Sequence, residues 1–151
     1  MFSMVKSVGI FGLNSYMLQI EADVSGGLPC FDVVGLPDTA VKESRDRVRA
    51  AIKNCGFKFP AGRITVNLAP ADKKKEGAIY DLPILISILI ASDQLKADTQ
   101  NCVFLGEVSL DGKVRGVNGV LAMVITAKQN GIKDVFVPLD NVSEGAAVEG
   151  I

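Results

Sequence analysis

Four basic residues, Lys42, Arg45, Arg49 and Lys53, recur at three- and four-residue steps, and Lys73, Lys74 and Lys75 follow as a run. At ~100° per residue the first four form one stripe along a helix. Such a stripe can track phosphates, and the lysine run reads as a mobile basic finger that adds to it. Contacts of this kind are sequence-independent and weaken with salt as counterions are released. Between Lys42 and Glu76 the chain places ten of its sixteen Lys/Arg against four of its seventeen Asp/Glu, so a net charge of −1 hides a dipolar layout. Concentrated positive potential attracts polyanions even on a near-neutral molecule. Two plainer readings stand beside this one. Glu43–Arg47 and Lys42–Asp46 are i,i+4 pairs that would neutralise part of the surface, and Arg45 or Arg49 could pair with a neighbouring subunit. Aromatic content does not help the nucleic-acid reading: single-strand binders interleave stacking rings with basic residues, but tryptophan is absent, and of Phe57 and Phe59, which flank Lys58 beside the stripe, core packing accounts for at least one.

Other chemistries are poorly supplied. With no histidine, Ser-His-Asp and Cys-His catalysis and the commonest zinc ligand are absent. Cys30, Cys55 and Cys102 are odd in number and far apart, which argues against a disulfide framework or a zinc knuckle and for a reducing, cytoplasmic setting. They read as small core residues. Asp72 and Glu76 flank three lysines, a poor arrangement for a divalent cation. The only Gly-Lys pair, Gly112-Lys113, is followed by Val114, and Glu107 stands where a phosphate-binding loop needs its first glycine, so no GxxxxGK[ST] motif exists. The N-terminus lacks a signal-peptide pattern. The longest apolar run, Leu82 to Ala91, falls short of the ~20 residues a membrane span requires; it reads as a buried helix, with no membrane partner.

The elements that must position the basic residues are legible from periodicity. Residues 16 to 24 alternate strictly, with Tyr16, Leu18, Ile20, Ala22 and Val24 on one face, as in a half-buried strand. Phe31 to Val34 forms a short strand expected to pair with it. Asp38 is suited to cap a helix whose Val41, Val48, Ile52 and Cys55 face inward, and Gly56 to end it. Ile64, Val66 and Leu68 mark another strand. Asp72 to Gly77 reads as a polar loop, and Asp81 as the cap of the apolar helix that follows. Phe104 to Val117 reads as a hairpin with a type I′ turn at Asp111-Gly112. A helix over 119–129, a strand over 135–137 and a short helix from Ser143 complete the order. Strands and helices mixed in this way indicate a single α/β (α+β) sandwich with a mixed sheet.

The segments GLPDTAVKESRDRVRAAIKNCGF, RITVNLAPADKKKEG and YDLPI resemble the N-terminal domain of the ComM/YifB family, bacterial AAA+ ATPases also described as magnesium-chelatase-like or competence-related. The similarity covers essentially the whole chain. It implies a fold like the Lon proteolytic domain and domain 2 of ribosomal protein S5, with the last strand and an ATPase module lying beyond Ile151. The resemblance further implies a hexameric DNA motor for branch migration and natural transformation, with ATP and Mg2+ as cofactors of the full-length protein. Its own AAA+ domain, neighbouring subunits and DNA would be the partners. Two alternatives remain: a chelatase- or chaperone-like module that remodels protein, and a residual Lon-like hydrolase. Lon-type catalysis uses a serine activated by a lysine. Against that pattern, Ile79 or Tyr80 stands at the serine position and Leu121 near the lysine position, so the expectation is a scaffold without catalytic residues or bound cofactor of its own. A hydroxyl beside an unpaired buried ammonium would reverse it.

Overall fold

The computed structural model describes residues Met1–Ile151 and is organised around one six-stranded mixed sheet. In chain order the elements are β1 (Phe2–Phe11), β2 (Asn14–Ser25), β3 (Cys30–Val34), α1 (Thr39–Lys42), α2 (Ser44–Asn54), β4 (Arg63–Ala69), α3 (Asp81–Ala91), β5 (Cys102–Phe104), β6 (Glu107–Val108), β7 (Val114–Arg115), α4 (Val120–Gln129), β8 (Asp134–Phe136) and α5 (Val142–Ala146). The sheet order is β3-β4-β2-β1-β5-β8, and β6 and β7 form a separate hairpin. β2 is antiparallel to both β1 and β4, whereas β3–β4, β1–β5 and β5–β8 are parallel. The result is the expected α/β sandwich.

Alternation along the strands divides the interior in two. Leu18, Ile20 and Ala22 of β2 meet Ile64, Val66 and Leu68 of β4 beneath α2 and α3, all fully buried. On the opposite face, Val8, Val103 and Leu105 pack against Val120, Met123 and Val124 of α4. Val5 and Val8 lie an odd number of residues apart on β1, so they serve opposite faces. A buried aliphatic side chain contributes roughly 1.5–3 kcal/mol of transfer free energy. Ile84, Ile88 and Leu89 therefore make α3 the anchor of its layer. No helix is long and apolar enough to cross a membrane.

Four local expectations are corrected. β3 pairs in parallel with β4, not with β2, because α1 and α2 carry the chain over the sheet and return it alongside β3. The hairpin is confined to Glu107–Arg115, since Phe104 belongs to β5 in the main sheet. Of Asp111 and Gly112 only Gly112 has positive φ, so the turn is not type I′; Asp111 instead closes it by accepting from Ser109 Oγ and Lys113 N. The cysteines are not core residues: Cys30 and Cys55 are exposed and Cys102 is half-buried. Cys30 points to the sheet face opposite buried Phe31, and Cys55 sits past the last turn of α2.

Candidate nucleic-acid interface

Asp38 sets the start of the basic helix as anticipated. Its Oδ1 accepts from Val41 N at 2.7 Å, capping α1. A break at Glu43 separates α1 from α2, and Val41, Val48 and Ile52 face the core. The far end of α2 closes with two hydrogen bonds, Gly56 N to Lys53 O and Phe57 N to Ile52 O, both 3.1 Å. This is the Schellman arrangement, and it requires the φ of +86° that Gly56 supplies.

On this frame Lys42, Arg45, Arg49 and Lys53 are all exposed, and none is within salt-bridge distance of an acid. The anticipated Lys42–Asp46 pair does not form, whereas Arg47–Glu43 does, at 3.6 Å. Two members of the stripe are held in place without being neutralised. Arg45 donates through Nε to Lys42 O at 3.1 Å and through Nη1 to Phe31 O at 3.4 Å. Arg49 lies over the Phe59 ring, 4.9 Å from its centroid, a cation–π contact that leaves the charge intact.

The lysine run divides. Lys74 is exposed, and half-buried Lys73 sits over the Tyr16 ring at 4.2 Å. Lys75 is fully buried, and its Nζ donates to Gly35 O at 2.7 Å and to Pro70 O. Its backbone pairs with the turn before α1, through Lys75 N to Leu36 O and Asp38 N to Lys75 O. Lys75 is therefore removed from the set of surface contacts, and the segment is pinned at its centre. Burial is the main cause that pushes the Lys75 ammonium below the ordinary lysine range; Asp72 opposes it and Lys73 adds to it. Both assigned acceptors of this buried ammonium are carbonyls, and neither is a hydroxyl.

A charged knot that the sequence did not suggest lies under α2. Asp81, fully buried, does not cap α3. Its carboxylate accepts from Arg47 Nε at 2.6 Å, Arg47 Nη2 at 3.0 Å, Ser44 Oγ at 2.5 Å and Val108 N at 3.1 Å. Asp81 holds the Arg47 guanidinium above its ordinary pKa. The knot ties α2, α3 and β6 together and so fixes the orientation of the basic stripe.

A cavity of about 530 Å³ is lined by Val8, Ile79, Glu107, Asn118 and Met123, among others, and of the positions set against a Lon-type dyad it takes in the serine-equivalent one but not Leu121. Ile79 and Tyr80 both border it. The phenols of Tyr80 and Tyr16 converge on Gly9, where a Cβ would lie within 3.0 Å of each oxygen, so Gly9 is needed for that approach. Burial is the main cause that pushes the Tyr80 pKa well up, which keeps the phenol protonated. Leu121 is an exposed aliphatic residue on α4.

A mixed sheet between helical layers, with a rigid helix presenting unneutralised cations, defines an α/β domain that offers a basic face. The chain belongs to the family described as subunit ChlI of Mg-chelatase, whose family model matches residues 20–141. Competence protein ComM of Haemophilus influenzae is 45% identical to it over 147 residues, covering 97% of this chain and 29% of that protein. YifB of Escherichia coli strain K12 is 45% identical over 149 residues, covering 98% and 29%. Lon protease of Mesomycoplasma hyopneumoniae strain 232 is more distantly similar, 27% identical over 143 residues, covering 91% and 16%. The chain thus spans less than a third of the length of ComM and YifB.

Proposed function

We propose that this chain is a non-catalytic module of an AAA+ DNA motor, and that its basic face grips the phosphate backbone. ATP and Mg2+ would act in the parent protein's ATPase module. That module and neighbouring subunits of a cytoplasmic hexamer would be the protein partners, with branch migration in recombination and natural transformation as the process served. The observation that carries the proposal is four exposed cations without acidic partners, Arg45, Arg49 and Lys53 on α2, which is fixed from below, and Lys42 at the end of α1 just before it. Lys73 and Lys74 extend it at the turn where α1 begins, and Lys75 serves as their internal anchor. Similarity to Competence protein ComM supports the process, and Ile79 or Tyr80 at the serine-equivalent position with Leu121 near the lysine-equivalent one supports the non-catalytic role.

The test is duplex binding by a K42E/R49E/K53E variant over a salt titration. Wild type should lose affinity steadily with salt, with a log–log slope of about −0.9 for each phosphate neutralised. The variant should bind more weakly and with a shallower slope. Equal affinity and slope would transfer the stripe to a contact with a neighbouring subunit and overturn the DNA assignment.

A further inference from the structure

The segment just beyond α2 carries a partly exposed aromatic ring next to the basic stripe. Phe57 is 41% exposed and sits between Lys53, at the end of the stripe, and Lys58. In a Schellman closure the residue at this position commonly packs on the helix residue whose carbonyl it meets. Here that residue, Ile52, is wholly buried in the core, while the Phe57 ring remains substantially in solvent.

The backbone on either side of the ring is nevertheless held. Phe57 N is bonded to Ile52 O. Both polar backbone groups of Lys58 are taken by one side chain: Lys58 N donates to Gln94 Oε1 at 2.8 Å, and Gln94 Nε2 donates to Lys58 O at 2.7 Å. The next aromatic, Phe59, lies beneath Arg49 and against Phe31 at 5.7 Å between centroids, and so forms part of the support. The clamp and the helix closure together fix the backbone from which Phe57 is presented.

Building on the basic-face assignment above, we infer that Phe57 is a stacking platform for an unpaired base, so the face takes single-stranded DNA in preference to duplex. The ring supplies the π-surface, and Lys53 and Lys58, its near neighbours along the chain, supply phosphate partners together with Arg49 over Phe59. In a duplex the base faces are covered by their neighbours, leaving only the phosphate contacts. Preorganisation by Gln94 and the helix closure reduces the ordering cost of binding.

The chain contains no tryptophan, so Phe57→Trp installs a single fluorophore at the proposed stacking position. Titration of this variant with a 20-nucleotide oligo-dT should quench its fluorescence, and a 20-base-pair duplex should quench it little at equal occupancy. Phe57→Ala should bind oligo-dT roughly tenfold more weakly than wild type, the scale of one lost base–aromatic stack, with duplex affinity within about twofold. The exposed position makes both variants compatible with the fold, which circular dichroism checks. Oligo-dT binding without quenching, or equal affinity for Phe57→Ala and wild type, overturns the stacking role while leaving the basic face intact. Failure of wild type to bind either DNA overturns both.

Discussion

Each of the two basic segments turns one cation into the protein, and the two are received differently. In α2 the inward cation is Arg47, which meets a carboxylate: Asp81 accepts from it twice, with Ser44 and Val108 filling the remaining acceptor positions. In the lysine run it is Lys75, which meets only the carbonyls of Gly35 and Pro70. The planar fork of arginine suits a two-point carboxylate contact, whereas an ammonium is a compact charge that carbonyl dipoles can surround. The first arrangement is charge-neutral and joins three elements. The second retains a net positive charge in the interior and joins a loop to a turn. A basic segment in sequence is therefore two populations in space, cations that grip outward and cations that fasten the segment down.

The largest effect should come from emptying the first arrangement. Arg47→Ala leaves the Asp81 carboxylate buried without its cation, and breaking such a pair from one side costs roughly 3–5 kcal/mol. Denaturant unfolding should show a large loss in midpoint. Replacing both partners, Arg47→Met with Asp81→Leu, removes the uncompensated charge and should recover more than half of that loss. A double variant as unstable as Arg47→Ala would mean that shape, not charge, governs the site.

An intermediate effect is expected at Lys75. Lys75→Met fills similar space but leaves two carbonyls without their donor, a loss of roughly 1–3 kcal/mol at neutral pH. The pH dependence distinguishes this site from Arg47. Burial lowers the Lys75 pKa in the folded state, so between that value and the ordinary one, near 10.5, the unfolded chain binds the extra proton. Stability contributed by Lys75 therefore rises with pH across that window. The gap between wild type and Lys75→Met should widen as pH is raised toward 10.5, since both proteins share every other titrating group. A gap that narrows would mean that the fold holds the ammonium better than the unfolded chain does, and would reject the burial argument.

These distinctions bear on what could be read before the structure. Strands with one wet face, such as β2 and β4, declare themselves by alternation, and Asp38 and Gly56 declare the ends of the basic helix. β1 does not, because its inward face carries Ser3, Ser7 and Gly9 beside Val5 while its other face carries exposed Phe2, Met4 and Ile10, so polarity along it does not follow burial. The pairing of β3 depends on where a crossover lands, which no local pattern encodes. At the site, the exposed stripe follows from helical spacing. Lys75 and its neighbours Lys73 and Lys74 are indistinguishable in composition, and only the arrival of the Gly35–Asp38 turn separates them. Asp81 before a proline-containing apolar helix has the appearance of a cap; its actual partner is 34 residues away. The clamp on Lys58 likewise joins residues 36 apart.

The smallest effect probes the connection between the two segments. Asp38 caps α1 through Oδ1 and accepts from Gly77 N through Oδ2 at 3.2 Å, while its own N–H donates to Lys75 O. Asp38→Ala removes both side-chain contacts but leaves the backbone pairing, so the loss should be about 1–2 kcal/mol, a cap plus one further hydrogen bond. Its distribution matters more than its size. If the turn at Asp38 is the hinge that holds the lysine loop against the helix start, amide exchange should accelerate at Gly77 and Lys75 more than in the middle of α2, where Arg47 and Asp81 still bind. Uniform acceleration along α2 would show that the knot and the loop are one cooperative unit, and the separation between the two buried cations would then be one of chemistry only.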